Sequence, residues 1–442
     1  MRGLGIFLLA LEIALMILYG LLTSVKNTFS TTTDNSAYLI MYLLPGILAL
    51  LGWGLIIAYS ENSAISGLTT TLATVGMTVQ LQPPILVFWV YVFDHFAGNY
   101  AVSMVDELVV MFMMVSMMVA LCGLSGRLSL LDTFLVIFGF NVGWPLCFNF
   151  ISWLKTSKWA GELGNITDAC GGGFTYLFAG VFALVVSFFI NCKEGTRASF
   201  SGSRQSAFIG MIGTGFAFAA SPFTSMVGLA GNTVPTFELA LNCYFALTAS
   251  VIFTYAFSAI FGNLKIGVRE SLVGVLGGMA MISTVSAFIN NIGAVITVGA
   301  FAGLVSGFWL RYVHPRINAN KTIDHLGLIG PITINAFLGL GFVAPILYGA
   351  YKDIGITPAE ITMTITNQRV STYFLGVLGV TLLIAIGMGV ITGLLVYLAR
   401  DAGDDFHYGK LVSTDFGLYN EGAAAPQIEQ PHNSASHLRQ EP

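Results

Sequence analysis

Long apolar runs follow one another along the chain, separated by short polar breaks. Runs able to cross a hydrocarbon layer of about 30 Å at about 1.5 Å per residue predict helices over 3–22, 38–59, 66–92, 101–122, 131–154, 168–190, 205–224, 236–262, 270–287, 293–313, 325–350 and 372–399. The first run holds Glu12 at its middle and ends in Tyr19-Gly20-Leu21-Leu22 without a small-residue cleavage site, so it reads as a retained helix and not a signal peptide. After Arg400 the chain turns polar: Asp401, Asp404 and Asp405 lead into Phe406-His407-Tyr408-Gly409-Lys410. The pattern predicts an all-α polytopic membrane protein with a transmembrane domain over 1–400 and a cytoplasmic tail over 401–442. The small, polar, proline-containing end at 422–442 is expected to be disordered.

Composition agrees, with 55% hydrophobic and only 9% charged residues among 442. A soluble domain carries about 25% charged residues, and twelve spans leave no room for a large extramembrane enzyme domain. A net charge of -4 without a basic run gives no electrostatic footprint for nucleic acid. Cys122, Cys147, Cys170, Cys192 and Cys243 show neither metal-ligand spacing nor a disulfide framework. No P-loop, dinucleotide fingerprint, metal-spaced histidine pair or nucleophile with a base partner is present, so no enzyme, cofactor or metal site is expected.

Twelve crossings put both termini on one side. Thirteen of the 18 Lys and Arg residues then share that side, Arg127, Lys193, Arg197, Arg204 and Arg316 among them, which makes it the cytoplasm. Asn165, in Asn165-Ile166-Thr167, then faces outward as a glycosylation acceptor, and the plasma membrane is the expected location.

Two of the predicted helices open alike. Asp168-Ala169-Cys170-Gly171-Gly172-Gly173 and Asp324-His325-Leu326-Gly327-Leu328-Ile329-Gly330 lie 324 minus 168, or 156, residues apart, five helices on and therefore on opposite faces. That is the signature of an inverted-topology repeat, over about 38–190 and 205–350, whose corresponding helices line a shared path near the midplane. Each Asp reads as a helix cap whose carboxylate meets free N–H groups and the positive dipole end. Attraction of cations to a pore mouth is compatible with that role. Eight residues on, about 12 Å down each helix, stand Tyr176 and Ile332.

The block from Asp168 to Ala183, the opening Leu11-Glu12-Ile13-Ala14, the stretch Met211-Ile212-Gly213-Thr214 leading to Pro222-Phe223, and the segment around Asp404-Asp405-Phe406 resemble the Rhesus branch of the ammonium transporter family. A twelfth helix, here the extra one at 3–22, also suits that branch. The resemblance implies a trimer of pores, homomeric or with a related subunit, each built from two inverted five-helix halves. The implied substrates are ammonia, ammonium or another small neutral solute, carbon dioxide included. It also implies a histidine pair at the two midpoint positions, where this chain has Tyr176 and Ile332. The family's outer pair of phenylalanines maps to Phe112 or Met113 and to Phe223 or Thr224, and a vestibule carboxylate of many Rhesus proteins aligns with Asn149. Without the histidine pair, electrogenic ammonium transport is not expected. A non-conducting subunit that keeps the fold for assembly is the alternative.

Gly299, Gly303 and Gly307, and likewise Gly389 and Gly393, repeat at the spacing that lets membrane helices approach closely. They read as packing faces and, with the resemblance, as support for assembly. Glu12 is an intramembrane carboxylate expected to hydrogen-bond another helix. Pro145, Pro222, Pro331 and Pro345 predict kinks within spans.

Overall fold

The computed structural model describes residues 9–17, 23–25, 44–61, 64–94, 100–102, 104–125, 127–128, 130–156, 172–190, 204–224, 237–261, 267–286, 289, 291–318, 324, 326–346 and 367–401. Among these residues the chain forms helices α1 (9–17), α2 (Leu44–Glu61), α3 (Ala64–Asp94), α4 (Met104–Leu124), α5 (Leu130–Thr156), α7 (Arg204–Thr224), α8 (Phe237–Phe261), α9 (Val268–Ile282) and α12 (Asn367–Asp401). Three more carry a π turn: α6 (Gly173–Leu177, then Phe178–Phe189), α10 (Ile292–Phe308, then Trp309–Val313 and His314–Ile317) and α11 (Ile329–Leu338, then Gly339–Val343). Six helical segments are long and apolar enough to cross a membrane, among them Leu131–Trp153 and Phe374–Ala399.

The packing repeats in two halves. α2 lies on α7, its counterpart; α4 packs on α2 and α6 as α9 packs on α7 and α11; α3 packs on α5 as α8 packs on α10. α12 then covers α5 and α6. The centre is built from helices buried on every side. In α9 each residue from Ser271 to Ile282 is buried, and in α4 each from Phe112 to Leu124. A helix apolar all round has no solvent face to present, so it takes the interior. α3, α8, α10 and α12 keep outward rows of large apolar side chains, such as Leu72, Ile252, Phe301 and Leu383, for the lipid.

Glycine sets the closest approaches. Gly299, Gly303 and Gly307 of α10 lie against Ala246, Ser250 and Phe257 of α8, and Gly389 and Gly393 of α12 against Val185 and Phe189 of α6. Both glycine faces are therefore consumed inside one chain, and they give no support to assembly between chains. Gln80 Nε2 of α3 donates to Glu12 Oε1 of α1 at 3.0 Å, which joins the first helix to the bundle.

Two departures from the expected spans have local causes. β1 (Thr23–Val25) pairs in parallel with β2 (Tyr100–Val102), so the chain at 101 is strand where helix was expected. The helix expected over 270–287 stops at Ile282, where the hydroxyls of Ser283 and Thr284 donate to the carbonyls of Ala280 and Met281 and the chain turns. Such side-chain bonds compete with the backbone ladder. Cys122, Cys147 and Cys243 are buried. The tail beyond 401 and Asn165 lie outside the described residues.

Candidate functional site

α6 and α11 pack directly against each other. At Gly180 a Cβ would fall on Oγ1 and Cβ of Thr333, so the absence of a side chain lets the two backbones meet. Gly123 of α4 admits Ile329 in the same way, and Gly330 admits the indole of Trp309. Thr333 Oγ1 turns back onto the Ile329 carbonyl at 2.7 Å.

Asp324 starts α11. Its Oδ1 accepts from the N–H of Gly327 (2.9 Å) and Leu328 (3.1 Å), and its Oδ2 accepts from the N–H of Gly330 at 2.8 Å. Those are donors that a helix start leaves without intrahelical partners. Gly327 takes φ 72°, the left-handed conformation that glycine adopts without a Cβ penalty. The carboxylate is 3% exposed and wholly engaged with backbone, so it offers no open face to a passing cation. Asn318 then clamps the Asp324 peptide: Asn318 Nδ2 donates to its carbonyl at 2.7 Å, and its N–H donates to Asn318 Oδ1 at 3.1 Å. His314 Nε2 lies 2.9 Å from the same carbonyl. Arg269 Nη2 lies 2.9 Å from His314 Nδ1 and 2.7 Å from its Nε2, and Asn318 Nδ2 lies 2.9 Å from Nε2. Arg269, His314, Asn318 and Asp324 thus tie the starts of α9 and α11 to the end of α10. Arg269 is 45 residues away in sequence from His314, so spacing alone does not announce the cluster.

Asp168, the counterpart acid, lies outside the described residues, and the description of α6 begins at Gly172. A π turn over Gly173–Leu177 holds Tyr176. The Thr175 carbonyl of that turn accepts from Ser116 Oγ of α4 at 2.8 Å, while Thr175 Oγ1, buried, has no partner. Tyr176 is 3% exposed and Ile332 fully buried, both within one apolar core that also holds Met113, Met117, Leu177 and Ala336. Among the described residues of this core, positions 176 and 332 hold a phenol and an aliphatic side chain.

Of the outer-gate positions, Phe112 sets its ring edge against Trp144 with centroids 6.4 Å apart, and Met113 beside it is fully buried. Phe223 and Thr224 occupy the last turn of α7, with side chains outside the described part. Asn149 is half-buried and spends its Nδ2 on the Pro145 carbonyl of its own helix at 2.9 Å. Among the described residues no group of three His, Cys, Asp or Glu side chains could hold a metal ion.

No protein-family model matches the chain. It is 29% identical over 247 residues to Ammonium transporter Rh type B of Oryctolagus cuniculus, covering 53% of each protein. It is 25% identical over 355 residues to Ammonium transporter Rh type C of Rattus norvegicus, covering 73% of this chain and 66% of that protein. The chain thus spans between about half and two-thirds of these curated relatives. Among solved structures, Nitrosomonas europaea Rh50 superposes with a TM-score of 0.66 at 21% identity, over 83% of this chain and 90% of that one. The repeated packing of two five-helix halves is the fold the chain shares with Rh50, and the relatives it resembles in sequence are Rh-type ammonium transporters.

Proposed function

We propose that the chain is a Rhesus-type channel subunit that passes neutral ammonia, and carbon dioxide by the same path, without carrying ammonium charge. The observation behind this reading is the buried pair Tyr176 and Ile332 at the positions where the family places histidines. Moving ammonium through such a midpoint would leave a cation among apolar side chains, at a desolvation cost of several kcal/mol or more. An uncharged molecule avoids most of that cost. On the same reading three chains assemble in a ring, in the plasma membrane, with both termini in the cytoplasm. Purified protein in liposomes carries the test. Ammonia-driven alkalinisation of the lumen should be faster than in empty vesicles, with no ammonium-dependent current on a solid-supported membrane. A saturable ammonium current in the unmodified protein would refute the charge block, and alkalinisation no faster than in empty vesicles would refute passage. Tyr176→His with Ile332→His should add an ammonium-dependent current.

A further inference from the structure

α3 and α5 run side by side and are tied by two side-chain bonds. Asn141 Nδ2 of α5 donates to Thr78 Oγ1 of α3 at 3.3 Å, and Trp89 Nε1 of α3 donates to the Val142 carbonyl of α5 at 3.2 Å. The partners on α5 are consecutive residues, whereas Thr78 and Trp89 bracket Gln82 on α3. Gln82 therefore lies between the two ties, one helical turn from Thr78 on the same face of α3. It is fully buried, and neither its Oε1 nor its Nε2 has a partner; Asn141, also fully buried, leaves its Oδ1 without one. Thr78 and Thr74, one and two turns below on the same stripe, are fully buried too. Three buried amide atoms without partners on these two packed helices mark a place where something else bonds.

The atoms specify the occupant. Gln82 Nε2 needs an acceptor, while Gln82 Oε1 and Asn141 Oδ1 need donors, and exchanging O for N in either amide keeps the need for both kinds. An anion brings no donor. A metal cation would leave the N–H groups unmet, and the nearest described carboxylate on α5 is Asp132, nine residues and about 13 Å along the helix. A small neutral molecule that both donates and accepts fits all three atoms, as buried waters do elsewhere. We propose that Gln82 and Asn141 form an internal binding site between α3 and α5 for such a molecule, water or ammonia. The site is separate from the crossing of α6 and α11, since α3 packs on α2, α4 and α5.

A density map of the full chain at about 2 Å, prepared once in sodium buffer and once in alkaline ammonium buffer, tests the site. The expected result is a peak at hydrogen-bond distance, about 2.7–3.2 Å, from the Gln82 amide and from Asn141. A peak in both maps identifies water, and a peak confined to the ammonium map identifies ammonia. Gln82→Met should remove it. Absence of a peak in both maps, or a peak that persists unchanged in Gln82→Met, overturns the proposal. Should that variant fail to fold, the maps of the unmodified chain decide alone.

Discussion

Replacing Asp324 with Ala should weaken the chain more than any other single polar change at the start of α11. The substitution strips acceptors from three N–H groups, those of Gly327, Leu328 and Gly330. A hydrogen bond to a charged group contributes about 1.5–3 kcal/mol, and loss of a helix cap alone about 0.5–2 kcal/mol. The three bonds share one carboxylate and are not additive, so the expected loss is about 3–5 kcal/mol. An unfolding entropy of about 2.1 cal/mol/K per residue, over 442 residues, converts this to a fall in midpoint of about 3–5 °C. Asp324→Asn keeps an oxygen for Gly327 and Leu328 but turns an amide N–H2 toward the Gly330 N–H, so it should lie between Ala and the unmodified chain. Thermal unfolding in mild detergent, followed by fluorescence-detected size exclusion, measures the order. If Asp324→Ala melts within about 1 °C of the unmodified protein while uptake of ammonia falls, the carboxylate serves the permeating species and not the helix start.

At the crossing, Gly180→Ala drives a Cβ into Thr333 and should destabilise by about 1–3 kcal/mol. Combination with Thr333→Ala should recover part of that, and strict additivity of the two in a double-mutant cycle would deny the contact. For topology, externally added thiol reagent should reach cysteines placed in 155–166 and 351–370 of intact cells but not one placed at Ser201. Labelling at Ser201 would reverse the assigned orientation.

Most of the helices are legible in the sequence because lipid imposes a simple condition: every backbone group must be satisfied within the segment that crosses. Apolar length then nearly suffices, as for 131–154 against Leu130–Thr156 and 236–262 against Phe237–Phe261. The condition says nothing about how a helix is wound, so the π turns at Gly173–Leu177, Trp309–Val313 and Gly339–Val343 leave no mark in the hydropathy. Nor does it foresee where hydroxyls end a helix, as at Ser283 and Thr284. Within the site, Asp followed by glycine at a helix start is readable as a cap. The partners of that cap, Asn318, His314 and Arg269, are brought to it only by the packing of three helix ends. Gln80 and Gln82 carried a readable signal, since an amide within an apolar span is costly unless it is bonded. The partner of Gln80 on α1, Glu12, could not be named from spacing.

On the proposed reading, the contacts that hold α6 against α11 are different residues from those that select what passes between them. Gly180 sets the approach of α6 to α11, while Gly123 and Gly330 set those of α4 and α10 to α11, and the Asp324 cap fixes the start of α11. Tyr176 and Ile332 contribute volume to the same core. An imidazole in place of either is smaller or more polar than what it replaces: Tyr176→His empties part of a filled space, and Ile332→His buries a ring nitrogen that needs a partner. Placing histidines at both positions should therefore lower stability by about 2–5 kcal/mol while leaving the crossing in place. If ammonium-dependent current appears in the double variant despite that loss, charge selection lies in two side chains set on a scaffold that did not change. If the variant keeps its stability and gains nothing, Tyr176 and Ile332 do not face a continuous path, and the path must run along another seam of the same bundle.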